Sequence, residues 1–222
     1  MRNKRENFIR AETNLRPVST FLPDLNLYVA DESTPLWQET EYFLGQTGLP
    51  PPFWAFAWAG GQALARFILD NPSRIKDKYI LDFACGSGLV GIAAMKAGAR
   101  KVLACDIDYL AVSATELNAK ANAVQLDVLC ADLIGLDDGW DVILVGDICY
   151  ERETAEKVIQ WLETLRKKGR EVLIGDPGRS YLPQKLLTKI MCYMIPTTKD
   201  LEDSDTKESC VWQFLDHLNH KN

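Results

Sequence analysis

The sequence predicts an α/β protein with a doubly wound parallel sheet, that is, a sheet covered by helices on both faces. Five short apolar runs lie between Tyr79 and Asp176, and helical stretches separate most of them. Near-continuous apolar strands that alternate with helices are typical of a buried parallel sheet, and the crossovers are expected to be right-handed. The end of the chain differs, because two apolar segments flank the acidic segment 199–208. They predict an antiparallel pair of strands.

The elements can be placed in chain order. The predicted strands are YILDFA, KVLACD, LDVLCAD, DVILVGD and EVLIGD, and the predicted helices between them are LVGIAAMKAGA, YLAVSATELNAKANA and ETAEKVIQWLETLRKK. Upstream, PLWQETEYFLG predicts a short helix, and the residues after Gly61 predict a longer one that ends at Asn71 and Pro72. We therefore expect an N-terminal extension over residues 1–48 and a main domain over residues 49–222.

Composition and charge argue against several classes of function. The 222 residues carry a net charge of −6, which argues against a nucleic-acid partner, since phosphate binding needs clustered Lys and Arg. No apolar stretch approaches the roughly 20 residues that span a membrane. Acidic residues interrupt the basic residues near the N-terminus, which predicts a frayed, solvated end rather than a targeting segment. The six cysteines are spread along the chain and are expected to be reduced, and with two histidines near the C-terminus we expect no metal site.

Five of the predicted strands end in an aspartate. Because the carboxyl ends of parallel strands meet at one edge of a sheet, these side chains are expected to share a rim. Any single member could only cap the following helix. Together they predict a site for hydroxyls, amines or a cation. The five are Asp82, Asp106, Asp132, Asp147 and Asp176.

A glycine-rich turn lies at the start of the first predicted βα unit. Gly86, Gly88 and Gly91 spell G-x-G-x-x-G, and Asp106 follows Gly86 by 20 residues, where its carboxylate can bind both hydroxyls of a ribose. A nicotinamide dinucleotide would fit this pattern as well. Asp82 would repel a pyrophosphate and favour an ammonium group, however.

The third acid of the rim also bears on the ligand. Asp132 could accept a hydrogen bond from an adenine amine. These features favour S-adenosylmethionine over NAD. An NAD-dependent oxidoreductase, or a turn that binds nothing, remains an alternative.

Three longer segments narrow the family. PFWAFAWAGGQALARFILDNP, VGDICYE and LIGDPGR, together with the glycine motif, closely resemble the electron transfer flavoprotein β-subunit lysine methyltransferases, a family of class I methyltransferases. The resemblance implies a Rossmann-like sheet of order 3-2-1-4-5-7-6 with the last strand antiparallel, S-adenosylmethionine as cofactor, and the flavoprotein β-subunit as protein substrate. The cysteine usage predicts a cytoplasmic protein, and the resemblance implies the mitochondrial matrix if the source is a eukaryote. Methylation of another protein, such as ribosomal protein L11, or of a small amine is left open.

The resemblance assigns roles by matching motif positions. It implies catalytic roles for Asp147, which would capture and aim the lysine, and for Tyr150, which would align its nitrogen or shape the channel. Cys149 stands where the family usually has Phe, so the aromatic wall of the lysine channel is either missing or supplied by Trp54 or Phe56. For Arg179, a functionless turn and a grip on an acidic partner surface are both open. The implied cofactor-binding residues are Trp58, Gly61, Asp82, Gly86, Gly88, Asp106 and Asp132.

Overall fold

The computed structural model describes residues 2–31, 36–45 and 51–215. Its helices are α1 (Arg2–Glu12), α2 (Leu36–Leu44), α3 (Ala59–Asp70), α4 (Leu89–Lys96), α5 (Tyr109–Ala121), α6 (Arg152–Lys167) and α7 (Lys199–Glu202). Its strands are β1 (Asn14–Pro17), β2 (Asn26–Val29), β3 (Tyr79–Phe83), β4 (Lys101–Asp106), β5 (Asp127–Cys130), β6 (Val142–Gly146), β7 (Glu171–Asp176), β8 (Leu187–Pro196) and β9 (Thr206–Phe214).

Seven of these strands form one sheet in the order β5-β4-β3-β6-β7-β9-β8. Strands β3 to β7 pair in parallel, whereas β9 runs antiparallel to both β7 and β8. Numbered from the first strand of this sheet, the order is 3-2-1-4-5-7-6. The predicted fold class, strand order and terminal antiparallel pair are therefore confirmed.

Helices cover the sheet on both faces because apolar side chains project from both faces of its central strands. Ile80 and Leu81 are neighbours in β3, point to opposite faces and are both fully buried. Leu81 belongs to a core cluster with Leu162 of α6, and Ile80 belongs to another with Leu64 of α3. This is the arrangement of a doubly wound sheet.

The N-terminal segment is packed against the main domain. Ile9 is fully buried, and Tyr28 N donates a 2.7 Å hydrogen bond to Oδ1 of Asn118 in α5. The expectation of a frayed terminus is wrong, because Phe8 and Ile9 give α1 an apolar face. The boundary near residue 48 stays a prediction and falls within residues 46–50, outside the described part of the chain.

A disulfide joins Cys192 of β8 to Cys210 of β9. The expectation that all six cysteines are reduced is wrong for this pair, since the antiparallel register sets the two residues directly opposite each other. The remaining four cysteines are free thiols. Among the described helices, none combines the length and the apolar character needed to cross a membrane.

Candidate functional site

The five predicted acids lie at the carboxyl edge of the parallel strands, as the sequence predicts. Asp106 and Asp176 are the last residues of β4 and β7, and Asp82 is the next to last of β3. Asp147 directly follows β6, and Asp132 follows β5 by two residues. Their surroundings differ, however, and the differences divide the edge into two regions.

The glycine-rich turn between β3 and α4 forms the centre of the first region. Gly86 and Gly88 have φ of +51° and +77°, and Gly88 is the N-cap of α4. A Cβ atom on Gly88 would lie 2.6 Å from Cγ2 of Thr115, so only glycine fits there. Thr115 also donates a 3.1 Å hydrogen bond to the Gly86 carbonyl. The turn is therefore held in shape by α5.

Asp82 lies beneath this turn and faces α4. It is 2% exposed, and its Oδ2 accepts a 2.8 Å hydrogen bond from Gly91 N in the first turn of that helix. Burial raises the pKa of Asp82 to about 8. One of the N–H groups that would bind a pyrophosphate is thus already occupied by a carboxyl group, which disfavours a dinucleotide. Contact between Asp82 and a ligand's ammonium group stays a prediction.

Asp106 closes the turn from the side of β4. Its Oδ2 accepts from Gly86 N at 2.9 Å and its Oδ1 from Asp108 N at 3.0 Å. Burial raises the pKa of this partly buried carboxyl group. Asp132 is exposed, and its Oδ1 accepts from Ile134 N at 2.9 Å.

Ile107 is a residue of this region that the sequence argument missed. It directly follows Asp106 and is 75% exposed, which is unusual for a large apolar side chain. The signal in the sequence was an isoleucine between two aspartates in ACDID.

Asp147 is the centre of the second region. It is 9% exposed and has φ of +50°, a conformation that is uncommon outside glycine. Its Oδ2 accepts a 2.8 Å hydrogen bond from Gly61 N at the start of α3. A Cβ atom on Gly60 would lie 2.3 Å from the Gly175 carbonyl and 2.5 Å from this same Oδ2, so glycine is what lets α3 approach so closely.

Arg179 covers the other oxygen of Asp147. Its Nη2 and Nε lie 2.9 and 3.2 Å from Asp147 Oδ1, and its Nη2 lies 2.7 Å from Oε1 of Glu202. The guanidinium also lies 5.5 Å from the centre of the Trp58 ring. Burial raises the pKa of Asp147 to about 7, although the positive charge of Arg179 opposes the shift. Arg179 is thus held by two acids of its own chain, and both sequence-based expectations for it stay predictions.

Glu202 and the turn that carries Arg179 complete this network. Glu202 is 3% exposed and lies in the acidic segment that the sequence predicted as a turn between strands, so nothing in its composition singled it out. Asp176 accepts hydrogen bonds from the backbone N–H groups of Gly178 and Arg179, both at 2.7 Å, and these fix the turn. Its other oxygen, Oδ2, is buried without a partner.

Aromatic side chains lie together near Asp147, where Tyr150 reaches the protein surface. The Tyr150 ring is 47% exposed and lies 5.2 Å from the Phe53 ring, which is 5.8 Å from the Trp58 ring. Trp54 is 2% exposed in the core beside α5, so its predicted place in the channel wall is wrong. Phe56 lies 6.0 Å from Trp58 and remains available for it.

Phe53 was missed by the sequence argument, since three neighbouring aromatic residues could each have faced outwards. Cys149 is fully buried and contributes nothing to the exposed surface. The two regions adjoin, because β3 and β6 are neighbours in the sheet and a Cβ atom on Gly61 would lie 4.0 Å from Leu89 and Val90 at the start of α4.

Known proteins resemble this chain in sequence. The family model for ribosomal protein L11 methyltransferases matches residues 63–148. The electron transfer flavoprotein beta subunit lysine methyltransferase of Danio rerio is 35% identical, with 94% of this chain and 83% of that protein covered. The Xenopus laevis protein of that name is 40% identical over 73% of this chain and 69% of its own length, and the Homo sapiens protein is 33% identical over 93% and 80%.

Solved structures share the fold. A ribosomal protein L11 methylase from Lactobacillus delbrueckii subsp. bulgaricus aligns with a TM-score of 0.53 at 19% identity, over 91% of this chain and all of that one. A magnesium protoporphyrin IX methyltransferase from Synechocystis PCC 6803 with bound SAM aligns with the same TM-score at 17% identity, over 80% and 83%. The sequence relatives extend over most of both chains, and the structural ones share its Rossmann-like sheet. This chain belongs to the family of electron transfer flavoprotein beta subunit lysine methyltransferases.

Proposed function

We propose that this chain transfers a methyl group from S-adenosylmethionine to a lysine side chain of the electron transfer flavoprotein β-subunit. The observation that carries the proposal is that the glycine-rich turn follows β3 while Asp147 and Tyr150 follow β6, the adjacent parallel strand, at the same edge of the sheet. A lysine methyltransferase needs a site for the cofactor and a site for the lysine. We assign the first to the glycine-rich turn and the second to the buried Asp147 and the aromatic side chains near it. The relatives' names supply the identity of the protein substrate.

The first region fits S-adenosylmethionine in its chemistry. The donor and acceptor groups there are carboxylates and backbone N–H groups, which suit a ribose, an adenine amine and an amino-acid head without phosphate. We assign Gly86, Gly88 and Asp82 to the methionine part, Asp106 to the ribose, and Asp132 to the adenine. Trp58 and Gly61 border the cofactor from the side of α3. Ile107 adds an apolar surface for the adenine ring.

When bound, the cofactor supplies a methyl group on a positively charged sulfur. The acceptor amine must be neutral, and a free lysine with a pKa near 10.4 loses its proton near pH 7 only at a cost of roughly 4 to 5 kcal/mol. Asp147 is too weak a base to carry this alone, and a carboxylate beside the amine stabilises the ammonium form. Its role is to capture and aim the incoming lysine. Desolvation among Phe53, Trp58 and Tyr150 then drives the proton to water.

The direct test is transfer of a tritiated methyl group from S-adenosylmethionine to purified flavoprotein β-subunit. We expect labelling of that protein and little labelling of ribosomal protein L11 or of free lysine. Labelling of L11 in preference would instead support the alternative that the L11 family model suggests. Absence of transfer to all three acceptors would contradict the proposal.

The same assay defines the role of Tyr150. Tyr150→Phe is expected to lower kcat about fivefold, because the hydroxyl that aligns the nitrogen is worth roughly 1 kcal/mol. Tyr42→Phe is the matched control, since Tyr42 is 88% exposed on α2 and lies outside the two regions described above. An unchanged kcat for Tyr150→Phe would leave this residue only as a wall of the channel. The absence of a nucleic-acid partner and the cytoplasmic location stay predictions.

A further inference from the structure

Arg179 occupies the carboxylate that the proposed function assigns to the substrate. Two of its nitrogens lie on Asp147 Oδ1, and Gly61 N holds Asp147 Oδ2. In this arrangement both oxygens of Asp147 have partners from the chain itself. A lysine ammonium that is to be aimed by Asp147 must therefore share or take over the contact with Oδ1.

Glu202 gives the guanidinium a second anchor. Nη2 lies 2.7 Å from Glu202 Oε1 and Nη1 lies 3.3 Å from Glu202 Oε2, so the planar fork of Arg179 meets both carboxylate oxygens. The Glu202 side chain is 2% exposed, whereas that of Asp147 is 10% exposed. Glu202 is thus the deeper of the two acids. The guanidinium can leave Asp147 without becoming an unpaired charge.

The acids around Arg179 outnumber the positive charge that it provides. Asp147, Asp176 and Glu202 are all buried, and within the described residues Arg179 is the cation that forms ion pairs with Asp147 and Glu202. Asp176 Oδ2 adds a buried oxygen without a partner nearby on the same turn. Buried acids of this number are stable only when they are protonated or paired. An ammonium group from outside would supply the missing positive charge.

We propose that Arg179 is an internal counter-ion that the substrate lysine displaces from Asp147, and that Glu202 retains the guanidinium when this happens. The inference rests on the proposed function, which makes a lysine the acceptor. Before substrate binds, Arg179 opposes the effect of burial on the pKa of Asp147 and holds its carboxyl group in place. Afterwards, the guanidinium on Glu202 remains beside the ammonium and favours loss of its proton to water, because like charges disfavour each other. Arg179 and Glu202 are therefore positioning residues for the acceptor.

Steady-state kinetics separate this exchange from a structural role. Glu202→Gln leaves Arg179 with Asp147 as its charged partner, so we expect the KM for the acceptor protein to rise about tenfold, as for 1.4 kcal/mol of binding, with kcat changed far less. S-adenosylhomocysteine affinity should not change. Glu171→Gln is the matched control, because Glu171 also pairs with an arginine, Arg74, at the opposite edge of the sheet. An unchanged KM in Glu202→Gln overturns the proposal.

Arg179→Gln should change how KM and kcat/KM depend on pH, which the loss of a purely structural residue would not do. Without the guanidinium the pKa of Asp147 rises further, so kcat/KM at pH 6.5 should fall. Towards pH 9, as Asp147 loses its proton in the absence of the competing guanidinium, the KM should drop below the wild-type value, by about threefold or more for a lost contact near 0.7 kcal/mol. A KM above the wild-type value at every pH overturns the exchange. If Arg179→Gln does not fold, Arg179→Lys tests the same point, because a lysine cannot bridge both acids and should show a smaller shift in the same direction.

A binding measurement keeps the exchange testable whatever the natural acceptor is. With S-adenosylhomocysteine present, the guanidinium signal of Arg179 in a ¹⁵N-arginine-labelled sample is followed while Nα-acetyl-lysine amide is added. We expect this signal to shift with the lysine probe and to stay unchanged with Nα-acetyl-norleucine amide, which has no ammonium. A response to both probes or to neither overturns the proposal. Failure of methyl transfer to the flavoprotein, by contrast, would count only against the proposed function.

Discussion

Asp106 and Asp147 are two acids at the same edge of the sheet, yet their carboxyl groups are held in different ways. Asp106 accepts from two neutral backbone N–H groups, those of Gly86, 20 residues earlier in the turn after β3, and of Asp108, two residues later. Asp147 accepts from Gly61, 86 residues earlier, and pairs with the full charge of Arg179, 32 residues later.

The two regions of the site therefore differ in the kind of group that surrounds the acid and in how far along the chain that group lies. In the first region, around the glycine-rich turn, the contacts come from the conformation of a turn and from backbone N–H groups, which a short sequence motif can encode. The second region is made of side-chain charges at the ends of β6 and β7 and in α7, together with a backbone N–H group of α3, which only tertiary packing brings together. Substitutions should therefore affect cofactor affinity in the first region and acceptor handling in the second.

The largest expected effect is on the acceptor side. Asp147→Ala should reduce methyl transfer by about 100-fold or more, because the lysine loses the group that aims it. Calorimetry should show nearly unchanged affinity for S-adenosylhomocysteine. Asp127→Asn, at the far end of β5, is the control and should leave both quantities unchanged. Equal losses of transfer and of affinity in Asp147→Ala would erase the distinction between the regions.

The next effect is on the cofactor side. Asp106→Asn should lower the affinity for S-adenosylhomocysteine about 10- to 100-fold, since an amide nitrogen would face one of the two N–H groups that Asp106 now accepts from. Asp132→Asn should cost less than about tenfold, because Asp132 is exposed and water can replace its contact. The reverse order in calorimetry would show that the adenine contact dominates.

The pH dependence of stability gives a further test in the first region, at Asp82. Its pKa in the folded state, about 8, lies above the value of an unfolded carboxyl group, so its contribution to stability is complete at low pH and is lost as the pH rises through about 8. Between pH 5.5 and 7.5, the free energy of unfolding of Asp82→Asn relative to wild type should rise by about 2 kcal/mol. Urea unfolding at the two pH values measures this.

The affinity of the same variant distinguishes two roles. If Asp82 chiefly caps α4, Asp82→Asn binds S-adenosylhomocysteine nearly as well as wild type. A large loss of affinity would instead support the predicted contact with the cofactor's ammonium group. A parallel pH dependence of stability in variant and wild type would show that Asp82 is already ionised below pH 5.5.

The last comparison concerns the glycine-rich turn itself, where the effect is on stability. Gly88→Ala combines a positive φ with a Cβ atom placed 2.6 Å from Thr115, and should lower the free energy of unfolding by about 2 to 3 kcal/mol. Gly135→Ala has a similar φ of +89° but meets no atom within 4 Å, so it should cost only about 1 kcal/mol. Equal losses would mean that conformation, and not the contact with Thr115, makes glycine necessary at residue 88.

Prediction from sequence worked where the information was local. The alternation of apolar runs and helices predicted the sheet, and the aspartates at strand ends were placed on one edge because strand direction fixes where each strand ends. It did not work where a residue's partner lies far along the chain. The buried face of α1, the Cys192–Cys210 bond and the core position of Trp54 depend on packing that no spacing encodes.

The sequence by itself determined the fold, the glycine-rich turn and the row of acids, since hydrophobic period and turn chemistry act over a few residues. Tertiary structure alone decided what each acid faces. Asp147 became a paired acid with a pKa near 7 because α3, the turn after β7 and α7 meet there, and Glu202 joined the site from a segment whose composition marks only a solvated turn. Burial and charge depend on three-dimensional distance, and the sequence does not state that distance.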